Sequence, residues 1–272
     1  MEPWHIAQDT VAVHEVVGGG ALGSVHRGVI EGREVALKCI HLLRDDAAAQ
    51  RAMGGALTAD ERRYVLATFK QECDLLRQLQ HENILPFIGV VVDASLQPLY
   101  LACTFVASGN LHDLIHGDSG RGLRTGDGGT LPLQTQLVVA CGMLSALEYL
   151  ASVPAIHRDV KPANILTVLS RSGLERIYLA DFGEAQQLTR NMAVGHGAGT
   201  PIYMAPEMRS ADAIKNPKAD VFSAGVVLVE MNSGRQPDPG PQWRDEAKTI
   251  LVPEDERRCG TRLICVIFIK LI

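Results

Sequence analysis

The chain has 272 residues, 46% of them hydrophobic, which is enough apolar surface for one large domain or two lobes. Charged residues make up 21%, the net charge is −5, and acids and bases are mixed, which excludes the clustered Lys and Arg of a nucleic-acid-binding surface. Cys39, Cys73, Cys103, Cys141, Cys259 and Cys265 are scattered, with no C-x-x-C pair and no zinc-finger spacing, a pattern that predicts reduced thiols in an intracellular, cytoplasmic setting. The opening residues show no basic region followed by an apolar run, so no secretory signal is expected, and the most apolar runs, 221–229 and 263–272, are too short to span a bilayer.

The first forty residues read as strands. Val11, Val13 and Val16–Val17 precede a glycine cluster, and "SVHRGVI" and "EVALKCI" follow on either side of a turn at Glu31–Gly32. Short β-branched runs with tight turns predict an antiparallel meander. Residues 44–57 read as an insertion. Thr58 with Glu61 fits a capping box, and Phe69, Cys73, Leu76 and Leu79 recur at helical spacing, so a helix is predicted over about 59–80. "NILPFIGVVVD" and "LQPLYLACTFV" predict two more strands. Beyond Val106 the texture is mostly helical: a short helix in "GNLHDLIHG", a glycine-rich loop at 117–129, then a long apolar helix over 131–151 with Thr130 as its expected cap and Pro132 in its first turn. A boundary falls near Val106–Gly109.

Six short segments carry chemistry. In "GGGALGSV", Gly18, Gly20, Gly23 and Val25 fit G-x-G-x-x-G-x-V. Glycine lets backbone N–H groups approach phosphate oxygens with no Cβ in the way. A glycine cluster between strands is usually a plain turn, and a dinucleotide site requires a helix after the glycines, where here a strand follows. Lys38 lies in "VALK", fifteen residues past Gly23, within reach of phosphates under the glycines. Glu72 flanks the apolar stripe of its helix, either as a solvated residue or as a partner for Lys38. "HRDVKPANIL" is the most specific segment. Asp159 can orient a hydroxyl and take its proton, the Asn164 amide oxygen can hold a divalent cation, and Lys161 can neutralise a phosphoryl group in transfer. "DFG" begins at Asp181, twenty-two residues past Asp159, and "GTPIYMAPE" spans 199–207.

Taken in this order, the motifs resemble the catalytic domain of eukaryotic protein kinases, from about Val11 to Gly234. The resemblance implies an α+β, two-lobed fold: a small antiparallel β-rich N-lobe with one main helix (1–106), a mostly helical C-lobe (107–234), and a divergent segment with an apolar tail (235–272). It implies ATP and Mg²⁺ as cofactors and a protein substrate, with no nucleic acid and no membrane span. By that likeness Lys38 contacts the α- and β-phosphates, Glu72 holds Lys38, Asp159 is the base, Lys161 assists transfer, and Asn164 and Asp181 bind the metal. Gly18, Gly20, Gly23, Val25, Ala36, Thr104, Val106 and Leu166 belong to the nucleotide site, and Cys103 stands at the gatekeeper position as a small buried hydrophobe. Asp220 supports the H-R-D turn. Lys161-Pro162 and Thr200 resemble the serine/threonine class, within the tyrosine-kinase-like group.

The end of the chain departs from the pattern. Sixty-five residues follow Glu207, and the family's late helices and the arginine that pairs with a buried Glu207 are not identified, unless Arg257, Arg258 or Arg262 takes that place. The expectation is a kinase truncated at its C-terminal end and of marginal stability, and a non-catalytic alternative stays open: a truncated kinase or pseudokinase serving as a nucleotide-binding interaction module.

Overall fold

The computed structural model describes residues 2–20, 23–40, 58–117, 130–188, 199–209 and 216–237. The expected insertion at 44–57, nearly all of the glycine-rich loop, Thr189, the three late arginines and the apolar tail lie outside the described residues. The chain divides into two compact units, one made of 1–80 with 85–107, the other of 81–84 with 108–272.

The first unit is built on a six-stranded sheet of β1 (His5–Ala7), β2 (Val11–Gly20), β3 (Gly23–Ile30), β4 (Arg33–Ile40), β5 (Phe87–Val92) and β6 (Pro98–Thr104), in the order β1-β5-β6-β4-β3-β2. The meander β2–β3–β4 is antiparallel, as its turns predict, but β1 joins the far edge parallel to β5, with His5 opposite Val90. A three-residue strand whose partner lies over eighty positions away carries too little alternation to be read locally. Two register shifts interrupt β2, between Val13 and Val16 and between Val16 and Gly18, and leave Val13, Val16 and Val17 exposed. On β4 the alternation is regular. Val35, Leu37 and Cys39 are fully buried against Ile30, Val91, Tyr100 and Ala102, so Ala36 and Lys38 take the opposite face.

Helix α1 (Ala59–Leu76) starts at the expected capping box: the Thr58 hydroxyl accepts from Glu61 N at 3.2 Å, and Glu61 Oε2 accepts from Thr58 N at 2.8 Å. It ends four residues earlier than the spacing predicts. From Gln78 on, the backbone bonds close three-residue turns, Gln78 N to Leu75 O and Leu79 N to Leu76 O, yet Leu79 still reaches the core.

In the second unit, α2 (Leu111–His116) is capped by Asn110, whose Oδ1 accepts from Asp113 N at 3.0 Å. The long helix α3 (Leu133–Ser152) begins one residue after Pro132, so Thr130 is not its cap; instead Gln136 reaches back to the Leu131 carbonyl at 2.7 Å. By length and composition α3 is apolar enough to cross a membrane, but half of that stretch is buried, Val139, Met143, Ala146 and Leu150 among it, where it packs on β9 and α4. Among the described residues this region also carries short strands. After the two-residue strand β7 (Ala155–Ile156) comes a hairpin of β8 (Ile165–Ser170) and β9 (Gly173–Leu179), and β10 (Gln186–Gln187) pairs back onto β7. Helix α4 (Lys218–Ser233) is buried along most of its length and ends at Gly234, whose φ of 64° suits a C-terminal glycine. The segment 81–84 joins this unit through Leu179 N to Asn83 O at 2.8 Å and Asn83 Nδ2 to Ile177 O at 3.1 Å.

Candidate active site

The site residues fall into two sets, one in each unit. In the first unit Lys38 lies on the β4 face turned away from the apolar cluster, opposite Val25 on β3 and Leu101 on β6. Its Nζ lies 2.7 Å from Glu72 Oε1. Glu72 stands three residues past Phe69 and four before Leu76, so α1 presents it on its buried side, and its side chain is only 4% exposed. A carboxylate so enclosed requires a charged partner, which Lys38 supplies. The neighbouring Cys73 thiol is pushed up, first by burial and then by the Glu72 carboxylate, and so stays protonated. Gly18 pairs with Val25, Ala36 with Cys103, and Val35 with Thr104, which brings most of the expected nucleotide residues of this unit onto adjacent strands. Cys103 is 6% exposed, in keeping with a packing role. Gly18 has no positive φ, and an added Cβ would meet only Val25 at an ordinary 3.8 Å, so the fold itself does not require glycine there.

In the second unit the loop after β7 is held from below by Asp220 on α4. Its Oδ2 accepts from His157 N at 2.6 Å and its Oδ1 from Arg158 N at 2.8 Å. These bonds fix Arg158 at a φ of 70°, a conformation costly for a non-glycine residue. His157 is completely buried. Its Nε2 lies 3.1 Å from the Ala180 carbonyl and Asp159 N lies 3.3 Å from its Nδ1, so the ring is a neutral imidazole with the proton on Nε2. Burial drives its pKa down, and burial likewise pushes Asp220 up against the opposing pull of His157.

This scaffold presents Asp159, 9% exposed, with both carboxylate oxygens engaged. Oδ1 accepts from Thr200 N at 2.9 Å and from the Thr200 hydroxyl at 2.8 Å; Oδ2 meets Lys161 Nζ at 2.7 Å and Asn164 Nδ2 at 2.9 Å. Lys161 also donates to the Thr200 hydroxyl at 2.8 Å, which closes a ring of three side chains. Gly199 allows this approach: its φ is 106°, and an added Cβ would lie 2.3 Å from the Arg158 carbonyl. Asn164 spends its amide nitrogen on Asp159 O and Oδ2, which turns its oxygen away from both. That oxygen and the exposed Asp181 carboxylate are hard donors suited to Mg²⁺. Asp181 itself sits at a φ of 60°, followed by the buried Phe182, whose ring meets His157 edge-on at 4.7 Å. Leu166, the nucleotide candidate of the second unit, bridges Asn110.

Two features differ from expectation. Glu207 is exposed, because the turn Pro206–Arg209 puts Met208 inward against Ile156, Met204, Ala205 and Ala219 and leaves Glu207 facing water. The destabilisation expected from a buried, unmatched Glu207 therefore loses its basis. Glu184 was not anticipated: Arg158 Nε donates to its backbone carbonyl, and its carboxylate lies 3.9 Å from the guanidinium. Nothing in the spacing marked it.

A family model described as "Protein kinase domain" matches residues 11–256. The chain is 32% identical over 237 residues to "PTI1-like tyrosine-protein kinase 2" of Arabidopsis thaliana, covering 84% of this chain and 58% of that protein. It is 33% identical over 229 residues to "Nodulation receptor kinase" of Pisum sativum, covering 82% and 21%. It is 28% identical over 236 residues to "Serine/threonine-protein kinase STY17" of Arabidopsis thaliana, covering 87% and 36%. The chain thus spans less than two thirds of the length of these relatives. The family match over most of the chain, together with the two-unit α+β fold, places this protein in the protein kinase domain family.

Proposed function

We propose that this chain transfers the γ-phosphate of ATP to serine and threonine hydroxyls of protein substrates. The observation that carries the proposal is the position of Asp159, fixed by Thr200, Lys161 and Asn164 while still within reach of solvent. So held, the carboxylate orients an incoming hydroxyl and takes its proton. The Lys161 ammonium, 2.7 Å away, offsets charge on the transferring phosphoryl group. Lys38, held by Glu72, fixes the α- and β-phosphates. Gly18, Gly20, Gly23, Val25, Ala36, Thr104, Val106 and Leu166 surround the nucleotide, and the absence of any packing demand for glycine at position 18 supports a cradle left open for phosphate. Asn164 and Asp181 hold Mg²⁺, which when bound supplies neutralisation of the phosphate charge.

The serine/threonine assignment rests on the Lys161–Thr200 contact, since the relatives' names include both tyrosine and serine/threonine kinases. An intracellular location is supported by the reduced thiols of Cys39, Cys73, Cys103 and Cys141. The non-catalytic alternative draws no support from the site, because binding alone does not require a positioned base.

The test is transfer of ³²P from ATP to dephosphorylated casein in the presence of Mg²⁺, followed by phosphoamino-acid analysis. Label is expected on serine and threonine, and Asp159→Asn should lower turnover by about 10²–10⁴ while retaining ATP binding. A variant keeping more than half of wild-type turnover removes Asp159 from the role of base, and label on tyrosine alone overturns the acceptor class.

A further inference from the structure

Glu230, on α4, is completely buried, and two donors from other parts of the second unit meet its carboxylate. The Tyr203 hydroxyl donates to Oε2 at 2.7 Å, and His116 Nε2 lies 2.7 Å from Oε1. Among the described residues these are the two side chains that meet the Glu230 carboxylate. Burial, and then the bond to Glu230, push the Tyr203 phenol up, so it remains a donor at any ordinary pH. Leu111, Leu114 and Ile115 are buried and fix α2, and the His116 ring at its end is set further by His112, with centroids 4.8 Å apart.

Tyr203 lies three residues past Thr200, in the segment "GTPIYMAPE". The segment is therefore tied at two points. Thr200 binds Asp159 and Lys161; Tyr203 binds Glu230 through its hydroxyl and accepts from Ser223 Oγ at 2.8 Å through its carbonyl. The second tie runs through Glu230, and His116 supplies that carboxylate's other hydrogen-bond contact: a fully buried carboxylate is costly unless its oxygens are met.

We propose that His116 is a positioning residue for the protein acceptor: through Glu230 it holds Tyr203, and with it the docking segment 199–205, in the shape that receives the substrate chain. This rests on the phosphotransfer reading above. The His116 ring meets Glu230 and His112 rather than Asp159, Lys161 or Asn164, so its loss weakens acceptor binding and leaves ATP use intact. Removing one bond to a buried charged group should raise KM for the protein acceptor by roughly tenfold or more, with kcat and the KM for ATP within about twofold of wild type.

Two measurements on the full chain test it. Steady-state kinetics with dephosphorylated casein compare wild type, His116→Ala, His116→Gln and Tyr203→Phe. His116→Ala and Tyr203→Phe should both raise KM for casein, and His116→Gln, which keeps a donor amide, should recover most of the loss. Hydrogen exchange read by mass spectrometry compares the same proteins without catalysis. Backbone exchange over 199–209 should speed up by roughly tenfold in His116→Ala, recover in His116→Gln, and stay unchanged over α1 in the other unit. An unchanged KM in both His116→Ala and Tyr203→Phe overturns the proposal. So does unchanged exchange over 199–209, or a His116→Gln protein that behaves as His116→Ala does. If wild type does not label casein, the phosphotransfer reading fails by itself, and the exchange comparison alone decides whether His116 holds the segment.

Discussion

Lys38 and Glu72 stand 34 positions apart in sequence, yet the amine of one lies 2.7 Å from the carboxylate of the other. The pair is asymmetric: the Lys38 side chain is 29% exposed and that of Glu72 only 4%. The strand carries the lysine to the open face of the sheet, and the helix brings the carboxylate to it from a buried position.

That asymmetry separates two substitutions. Lys38→Met removes the amine that lies 2.7 Å from a carboxylate only 4% exposed, and should cost roughly 3 kcal/mol of stability as well as turnover. Glu72→Gln removes the charge, keeps the shape, and should leave a urea melt near wild type while lowering kcat by about 10²-fold through a misplaced Lys38. Equal melting of the two variants would contradict this account.

Asp220 accepts from the backbone N–H groups of His157 and Arg158 at 2.6 and 2.8 Å. Each buried donor left unpaired costs about 1–3 kcal/mol. Asp220→Ala should therefore destabilise by roughly 2–6 kcal/mol and Asp220→Asn, with one acceptor oxygen retained, by about half as much. Because the same bonds hold Arg158 at positive φ, both variants should also lose turnover, checked by denaturant melts alongside the casein assay.

The share of stability that His157 contributes should fall on mild acidification. The folded-state pKa of His157 is depressed by burial, so below the unfolded value near 6.5 the unfolded chain takes up a proton that the folded chain refuses. Its contribution is fully present above that value and declines as pH falls, by on the order of 1 kcal/mol per pH unit. Asp220 is raised and acts in the opposite sense, with its window opening near 4 and extending upward to its folded value. Melts of wild type and His157→Asn between pH 7.5 and 5 should show a smaller slope in the variant. An equal slope rules His157 out as the source.

Activity should not depend on phosphorylation of the loop after the D-F-G segment. The Arg158 side chain is 14% exposed and already bonded to the Glu184 carbonyl. The Glu184 carboxylate is 44% exposed at 3.9 Å, a pair worth less than about 1 kcal/mol, so Glu184→Ala should cost no more than about fivefold. Phosphatase treatment and Thr189→Ala should each leave casein phosphorylation within about twofold of wild type. A large loss in either would show that a phosphate, rather than Glu184, holds Arg158.

Local signals carried much of this protein. The capping box at Thr58 and the stripe Phe69, Cys73, Leu76 and Leu79 specify α1, and period-two alternation puts Val35, Leu37 and Cys39 on one face of β4 and Lys38 on the other. The order of the motifs identified the family and named Lys38, Glu72, Asp159, Asn164 and Asp181 as candidates for its chemistry, because covalent spacing and residue type are both written in the chain.

Tertiary structure decided what depends on distant partners. The parallel docking of β1 on β5, the return of β10 to β7, and the joining of 81–84 to the second unit are pairings between remote segments, which local pattern does not register. Glu207 and Glu230 make the same point for charge. The sequence pointed to Glu207 as the buried carboxylate, but a short turn sends it to water, while Glu230, unremarkable within an apolar helix, is the carboxylate enclosed by Tyr203 and His116. Residue type sets how much burying a carboxylate costs; only the packing of α2, α4 and the docking segment determines which carboxylate is buried and what is there to meet it.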